Sequence, residues 1–296
     1  MKHLLSLAQL SAGEIAAILA QARQLKADRS QPGGRSHLPL SGQTWALIFT
    51  KASTRTRVSF EVGIRELGGN ALYLAGSDIQ MGRGETVADT ARVLSRYVQG
   101  VVIRTFAQKD VEEFAQFGSI PVINALTDDE HPCQILADLQ TIEEKLGTAK
   151  GKKIVFIGDG ACNVPASWIA AAPKVGFELW IAAPKGFQPA TTAGIQVTED
   201  LFAAAKNADV LYTDVWVSMG KEAEAADRLK VLAGYQINEQ LLKVAKPGAL
   251  VMHCLPAYRG KEITAEVFEA HQQTIFDQAE NRLHVQKAIL IQLARR

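Results

Sequence analysis

The sequence predicts an α/β protein of two domains, each built on a mostly parallel sheet flanked by helices. Short apolar runs alternate with helical patterns along most of the chain, which is typical of strands joined by crossover helices. The alternation pauses after residue 146 and restarts near residue 153. The chain has 296 residues, which is more than the about 100–200 residues of one typical domain.

The first domain begins with a helix and continues with four predicted strands. Ser11 and Glu14 have the spacing of a capping box, which predicts a helix that begins after Ser11. Phe60, Ile64 and Leu67 share one face of a later helix, between the first two strands. The predicted strands of this domain are residues 45–49, 71–74, 101–103 and 121–123.

The domain boundary is predicted at the end of a helix over residues 134–146, because Gly147 is a suitable helix stop. The predicted domains are therefore 1–146 and 147–277. The predicted strands of the second domain are residues 154–157, 178–182, 210–212 and 250–252. A final helix over residues 277–296 has Leu283, Leu290 and Leu293 on one side, and this pattern fits packing on either domain.

Composition argues against several classes of partner. Lys and Arg number 32 against 31 for Asp and Glu, so the net charge of +1 favours neither nucleic acid nor an anionic membrane. No apolar run approaches the ~18–20 residues that cross a bilayer. Three cysteines far apart in the sequence fit reduced thiols in the cytoplasm better than disulfides, and they lack the spacing of a zinc site. A small-molecule partner is therefore expected.

The turn Ser53-Thr-Arg-Thr56 follows a predicted strand and precedes a helix. Such a turn directs backbone N–H groups and the positive end of a helix dipole at one point, which favours an anion. Its hydroxyls and guanidinium match the geometry of phosphate oxygens. The pattern thus predicts a phosphate site, although an ordinary N-cap followed by solvated arginines has the same local sequence. The glycines of a nucleotide-binding loop are absent.

Polar residues also follow other predicted strands. Arg104 and His131 could donate to a carbonyl oxygen that gains negative charge, and the Gln134 amide could bind a planar amide-like group. In the second domain, Asp214 and Cys254 follow predicted strands and could bind a cationic substrate. A buried structural thiol is the alternative for Cys254. Because ligands gather at the carboxyl ends of parallel strands, these positions suit a binding site.

Several separated motifs resemble the signatures of the aspartate/ornithine carbamoyltransferase family. They are Ser53-Thr-Arg-Thr56, Asp89-Thr-Ala-Arg-Val-Leu94, Arg104-Thr105, His131-Pro-Cys-Gln134 and Glu280-Asn-Arg282. Ser218-Met219-Gly220 and His253-Cys-Leu-Pro256 resemble the ornithine branch of the family. Ala161-Cys162 departs from the common pattern, because many relatives carry Asn-Asn before this helix.

The resemblance implies a set of ligands for each substrate. The residues expected to bind carbamoyl phosphate are Ser53, Thr54, Arg55, Thr56, Gln80, Arg104, His131, Gln134 and Arg282. Those expected to bind L-ornithine are Asn163, Asp214, Ser218, Met219, Cys254 and Leu255. Arg55, Arg104, His131 and Cys254 are expected to act in the reaction.

The resemblance further implies that residues 1–146 bind carbamoyl phosphate, with helix 278–296 packed back on them, and that residues 147–277 bind ornithine. The implied reaction carbamoylates the δ-amine of L-ornithine and gives L-citrulline in arginine metabolism, with no metal or organic cofactor. A homotrimer or a multiple of trimers is expected, in which Gln80 reaches the site of a neighbouring subunit. N-acetylornithine or putrescine as the acceptor, and a catalytically silent relative, are the alternatives.

Overall fold

The computed structural model describes residues 1–31, 33–34, 36–81, 84–218, 220 and 222–294. The chain divides into two compact units. The first comprises Met1–Gln140 and Asn281–Arg296, and the second comprises Thr141–Glu280. Among the described residues, no helix has both the length and the hydropathy that crossing a membrane requires.

The first unit contains a four-stranded, all-parallel sheet with the strand order β2-β1-β3-β4. Its strands are β1 (Thr44–Phe49), β2 (Asn70–Ala75), β3 (Gly100–Arg104) and β4 (Val122–Leu126). Its helices are α1 (Ala12–Arg29), α2 (Thr54–Glu66), α3 (Val87–Leu94), α4 (Gln108–Phe117) and α5 (Pro132–Leu146), and the last of these continues into the second unit. A short 3-10 helix, Leu7–Gln9, precedes α1.

The central strands of this sheet are buried on both faces, as expected for a parallel sheet covered by helices. Ile48, Ile103 and Phe114 belong to one buried apolar cluster of the unit. Gly100 at the start of β3 has no side chain, and a Cβ there would clash with the indole ring of Trp45 on β1. This close approach lets the large Trp45 side chain lie fully buried in the unit.

The second unit contains a five-stranded, all-parallel sheet with the strand order β7-β6-β5-β8-β9. Its strands are β5 (Lys153–Ile157), β6 (Glu178–Ala182), β7 (Gln196–Thr198), β8 (Val210–Thr213) and β9 (Leu250–His253). Its helices are α6 (Asn163–Val175), α7 (Leu201–Ala205), α8 (Ala225–Leu232), α9 (Glu239–Leu242) and the first part of α10 (Ala265–Ala294). A short 3-10 helix, Glu222–Glu224, precedes α8.

The predicted fold class is confirmed, with two parallel sheets flanked by helices and a C-terminal helix that packs on the first unit. The capping box of Ser11 and Glu14 is also confirmed. The sequence pattern missed β7, because three residues at the edge of a sheet are too few to show a periodicity.

The predicted start of the last helix at residue 277 is wrong, because α10 begins at Ala265. Val267, Phe268 and Ile275 in the early turns pack into the core of the second unit. Later in the same helix, Lys287 pairs with Glu66 of α2 at 2.8 Å in the first unit. The early turns of α10 therefore belong to the second unit and its later turns to the first. Residues 295–296 of the prediction lie outside the described residues.

Candidate active site

The predicted phosphate turn forms the first turn of α2. Ser53 is the N-cap, and its side-chain oxygen accepts a hydrogen bond from the Thr56 N–H at 3.2 Å. Thr54 and Arg55 are exposed, whereas Thr56 is fully buried. The turn thus combines the N–H end of a helix with an exposed guanidinium, a combination that suits an anion.

Thr56 is the meeting point of two buried arginines. Nη2 of Arg282 donates to Oγ1 of Thr56 at 2.6 Å, and Nη1 of Arg104 lies 3.4 Å from the same oxygen. Arg104 ends β3 and Arg282 belongs to α10, so elements distant in sequence supply the two guanidiniums. Two buried cations beside the positive end of α2 create a strongly positive region.

His131 lies just before α5 and belongs to the same cluster. Burial holds the pKa of its imidazole well below the usual value, and the positive charges of Arg282, Arg104 and Arg55 lower that pKa further. The ring is therefore neutral at pH 7 and offers one N–H donor and one acceptor.

Gln134, in the first turn of α5, is also buried. Its Nε2 donates to Oδ1 of Asp138 at 2.8 Å. Its Oε1 has no hydrogen-bond partner within the described part of the chain. Because an unsatisfied buried acceptor is unfavourable, this oxygen is suited to receive an N–H from a ligand. Cys133 beside it has a different character: burial raises the pKa of its thiol to about 12, so the thiol stays protonated.

Gln80 and Lys51 differ from the residues of the Thr56 cluster in their contacts. Gln80 is exposed, and among the described residues its side chain makes no hydrogen bond to the Thr56 cluster. Lys51, which the sequence analysis did not select, is buried, forms an ion pair with Asp128 and lies 4.3 Å from the centre of the Phe106 ring. A lysine three residues before a helix carries no distinctive sequence signal, so only its burial draws attention to it.

In the second unit, Asp214 and Cys254 follow the neighbouring strands β8 and β9. The thiol of Cys254 donates to Oδ1 of Asp214 at 2.9 Å, and the Val215 N–H donates to the same oxygen at 2.7 Å. Desolvation raises the pKa of the Asp214 carboxyl, while His253 and the Cys254 thiol oppose that rise. The pair is a hydrogen-bonded carboxylate and thiol at the carboxyl edge of the sheet.

The turn after β9 is held by His253. Its Nδ1 accepts the Leu255 N–H at 2.8 Å, so its Nε2 carries the proton and donates to Glu262 at 3.1 Å. Asp214, His253 and Cys254 offer atoms within 4.8 Å of one another. Both ring nitrogens of His253 are engaged, however, so the imidazole is committed to the turn. Leu255 has a φ of 61°, an unusual value for a branched residue, and such conformations cluster at functional sites.

The remaining predicted ornithine ligands lie on two other segments of this unit. Asn163 is half-buried at the start of α6, and Ser218 is half-buried after β8. Met219 lies outside the described residues. The sequence analysis also missed Arg228 on α8, whose buried guanidinium pairs with Asp159.

These features define a class: a parallel α/β protein with an arginine-rich anion site in one unit and a carboxylate–thiol pair in the other. Comparison with known families gives the particular family. The model described as "Aspartate/ornithine carbamoyltransferase, carbamoyl-P binding domain" matches residues 2–144, and "Aspartate/ornithine carbamoyltransferase, Asp/Orn binding domain" matches residues 150–293. The chain belongs to the aspartate/ornithine carbamoyltransferase family.

Individual relatives are similar over nearly the whole chain. The chain is 53% identical to the ornithine carbamoyltransferase of Syntrophus aciditrophicus, with 98% of each chain covered. It is 54% identical to that of Akkermansia muciniphila, with 99% of this chain and 98% of the relative covered. The solved structure of the Pyrococcus furiosus ornithine carbamoyltransferase matches with a TM-score of 0.91 at 47% identity, and the match covers 98% of this chain and 96% of that chain.

Proposed function

We propose that the protein transfers the carbamoyl group of carbamoyl phosphate to the δ-amine of L-ornithine, giving L-citrulline and phosphate. The observation that carries this proposal is the cluster in which Arg104 and Arg282 meet Thr56 at the first turn of α2. Relatives named ornithine carbamoyltransferase, about half identical over nearly their full length, support ornithine as the acceptor.

Carbamoyl phosphate binds to the first unit in this proposal. The phosphate group accepts N–H donors from the start of α2 and hydroxyl donors from its first turn, because helix N-termini and guanidiniums favour phosphate oxygens. Arg55 is exposed at this turn and is free to swing onto the phosphate. The phosphate ligands are Ser53, Thr54, Arg55, Thr56, Arg104 and Gln80.

The carbamoyl group is oriented by the neighbouring polar side chains. Neutral His131 donates its N–H to the carbonyl oxygen, and Arg55 and Arg282 add positive charge where negative charge develops in the tetrahedral intermediate. The unsatisfied Oε1 of Gln134 accepts an N–H of the carbamoyl NH2 group. The buried side chains of His131, Gln134 and Arg282 are held in place by packing, so they need little reorganisation during the reaction, whereas Arg55 moves onto the substrate.

L-ornithine binds to the second unit. The Asp214 carboxylate pairs with the α-ammonium group. Burial raises the pKa of this carboxyl, and hydrogen bonds from the Cys254 thiol and the Val215 N–H favour its charged form. Cys254 and Leu255 lie next to the reacting end of the amino acid. The other ornithine ligands are Asn163, Ser218 and Met219.

The reaction needs the neutral δ-amine, whose pKa in water is ~10, like that of a lysine. The amine nitrogen forms a bond to the carbonyl carbon, and its proton passes to an oxygen of the phosphate group. The bond between that carbon and the phosphate oxygen then breaks, and phosphate leaves with the bonding electrons. The residues of the first unit stabilise charge and form no covalent intermediate with the carbamoyl group.

We further propose a compartment, a pathway and an oligomeric state for the enzyme. The protein acts in the cytoplasm in arginine biosynthesis, without a metal or organic cofactor. It forms a homotrimer or a multiple of trimers, in which Gln80 reaches the site of the adjacent subunit. The exposure of Gln80, away from the cluster of its own chain, supports this role in trans.

The test is product formation by the purified protein from carbamoyl phosphate with four acceptors side by side: L-ornithine, N-acetylornithine, putrescine and L-aspartate. We expect citrulline and an equal amount of phosphate with ornithine, and at least a hundredfold lower kcat/KM with the others. Activity with only another amine would overturn the acceptor assignment. No activity with any of the four would leave a silent binding protein.

A further inference from the structure

Arg228 on α8 is a buried arginine that joins two segments of the second unit. The side chain is only 10% exposed. Its Nη2 forms an ion pair with Oδ2 of Asp159, and its Nε donates to the backbone oxygen of Trp216 at 2.9 Å. The guanidinium also lies 4.9 Å from the centre of the Phe187 ring. The planar group is thus constrained on its edges and on one face.

The first of the joined segments is the turn that leads from β5 into α6. Oδ1 of Asp159 accepts the Ala161 N–H at 3.0 Å, and the Asp159 backbone oxygen accepts the Cys162 thiol at 3.2 Å. The turn ends at Asn163, the first residue of α6. The Asp159 carboxylate therefore organises the turn with one oxygen and binds Arg228 with the other.

The second segment follows β8 and carries Asp214 and Ser218, with Trp216 between them. The Trp216 indole packs against Gly158 of the first segment, where a Cβ would lie 3.8 Å from the ring. The two segments are therefore neighbours, and Arg228 is hydrogen-bonded to both. A shift of the guanidinium would move Asn163 relative to Asp214 and Ser218.

We propose that Arg228, together with Asp159, is a positioning residue that sets the spacing of the two segments for the α-amino-acid group of ornithine. This inference rests on the proposed function. The role requires an arginine because a planar guanidinium can donate at once to a carboxylate on one edge and to a carbonyl on another. A lysine is a single compact charge on a flexible chain and cannot hold both geometries.

The test compares Arg228→Lys with Arg259→Lys. Arg259 is a matched control, since it forms an ion pair with Glu269 in the same unit but on the surface, at 2.9 Å. For Arg228→Lys we expect the KM for ornithine to rise about ten- to a hundredfold, the loss typical of a charged hydrogen bond. The KM for carbamoyl phosphate and the melting temperature should stay near the parental values. Arg259→Lys should change none of these quantities.

A second variant keeps the inference testable if the lysine of Arg228→Lys pairs poorly with Asp159 and destabilises the fold. Asp159→Asn combined with Arg228→Gln removes both charges and leaves no unpaired ion in the interior. This double variant should have a melting temperature close to that of the parent protein. Its KM for ornithine should stay raised, because no guanidinium joins the two segments.

Failure of the proposed function and failure of the role of Arg228 would give different results. A parent protein that does not use ornithine would overturn the proposed function and the inference with it. An active parent with an unchanged ornithine KM in folded Arg228→Lys would overturn only the inference. An equal rise of both KM values would also overturn it, because general damage to the protein would then explain the effect.

Discussion

Nη2 of Arg282 donates a 2.6 Å hydrogen bond to Oγ1 of Thr56, although 226 positions separate the two residues. The bond ties α10 to the first turn of α2, and both side chains are buried. Lys287, further along α10, forms an ion pair with Glu66 at the C-terminal end of α2. The C-terminal part of α10 is therefore part of the candidate anion site.

The Thr56 hydroxyl can be tested with Thr56→Val, which keeps the shape of the side chain and removes the acceptor for two guanidiniums. We expect the KM for carbamoyl phosphate to rise about ten- to a hundredfold, because a hydrogen bond to a charged group contributes ~1.5–3 kcal/mol. Steady-state kinetics at saturating ornithine measure this effect. Thr198→Val removes a hydroxyl that accepts the Asp200 N–H and should leave this KM unchanged. Equal effects of the two variants would contradict the role of Thr56.

The depressed pKa of His131 predicts a pH-dependent stability. In the unfolded chain the imidazole takes up a proton below about pH 6.5, whereas in the folded protein it stays neutral to a lower pH. Protons thus favour the unfolded state in that window, so stability is lost as the pH falls through it. The slope from one such group is at most ~1.4 kcal/mol per pH unit.

Replacing this residue in His131→Gln should remove that contribution. Urea unfolding of both proteins between about pH 5 and pH 7 would measure it. The free energy of unfolding should fall more steeply for the parent than for the variant as the solution is acidified. Parallel curves would mean that His131 titrates alike in the folded and unfolded states.

Arg55 is exposed, so its removal should affect the reaction more than the fold. We expect Arg55→Ala to lower kcat/KM for carbamoyl phosphate by about a hundredfold or more, because a positive charge that stabilises the transition state is lost. Its melting temperature should stay close to the parental one. Arg65→Ala, an exposed arginine on the same helix, is the control and should have nearly parental kinetics. Near-normal turnover of Arg55→Ala would rule out its assigned role.

The hydrogen bond from Cys254 to Asp214 can be separated from simple packing by two substitutions. Cys254→Ala removes the donor and should raise the KM for ornithine about tenfold, with little effect on that for carbamoyl phosphate. Cys254→Ser keeps a donor for Asp214 and should recover most of the loss. If the alanine variant harms both substrates equally, the thiol serves the fold instead of ornithine.

Much of the local structure was predictable because it depends on neighbouring residues. The capping box at Ser11 and the N-cap at Ser53 arise from bonds within one turn, and the central strands show as short apolar runs. The limits lay where one element serves two environments. The early turns of α10 belong to the second unit and the later turns to the first, and a local pattern does not show that one helix continues from one domain into the other.

The sequence by itself determined the fold class and the family and predicted the residues of the site, because motifs such as Ser53-Thr-Arg-Thr56 lie together in the chain. Only the tertiary structure decided which charges meet. It brings Arg282 to Thr56 and Arg228 to Asp159, and it keeps His131 neutral through burial and three arginines. The physical reason is that desolvation and Coulomb interactions depend on distance in space, which separation along the chain does not specify.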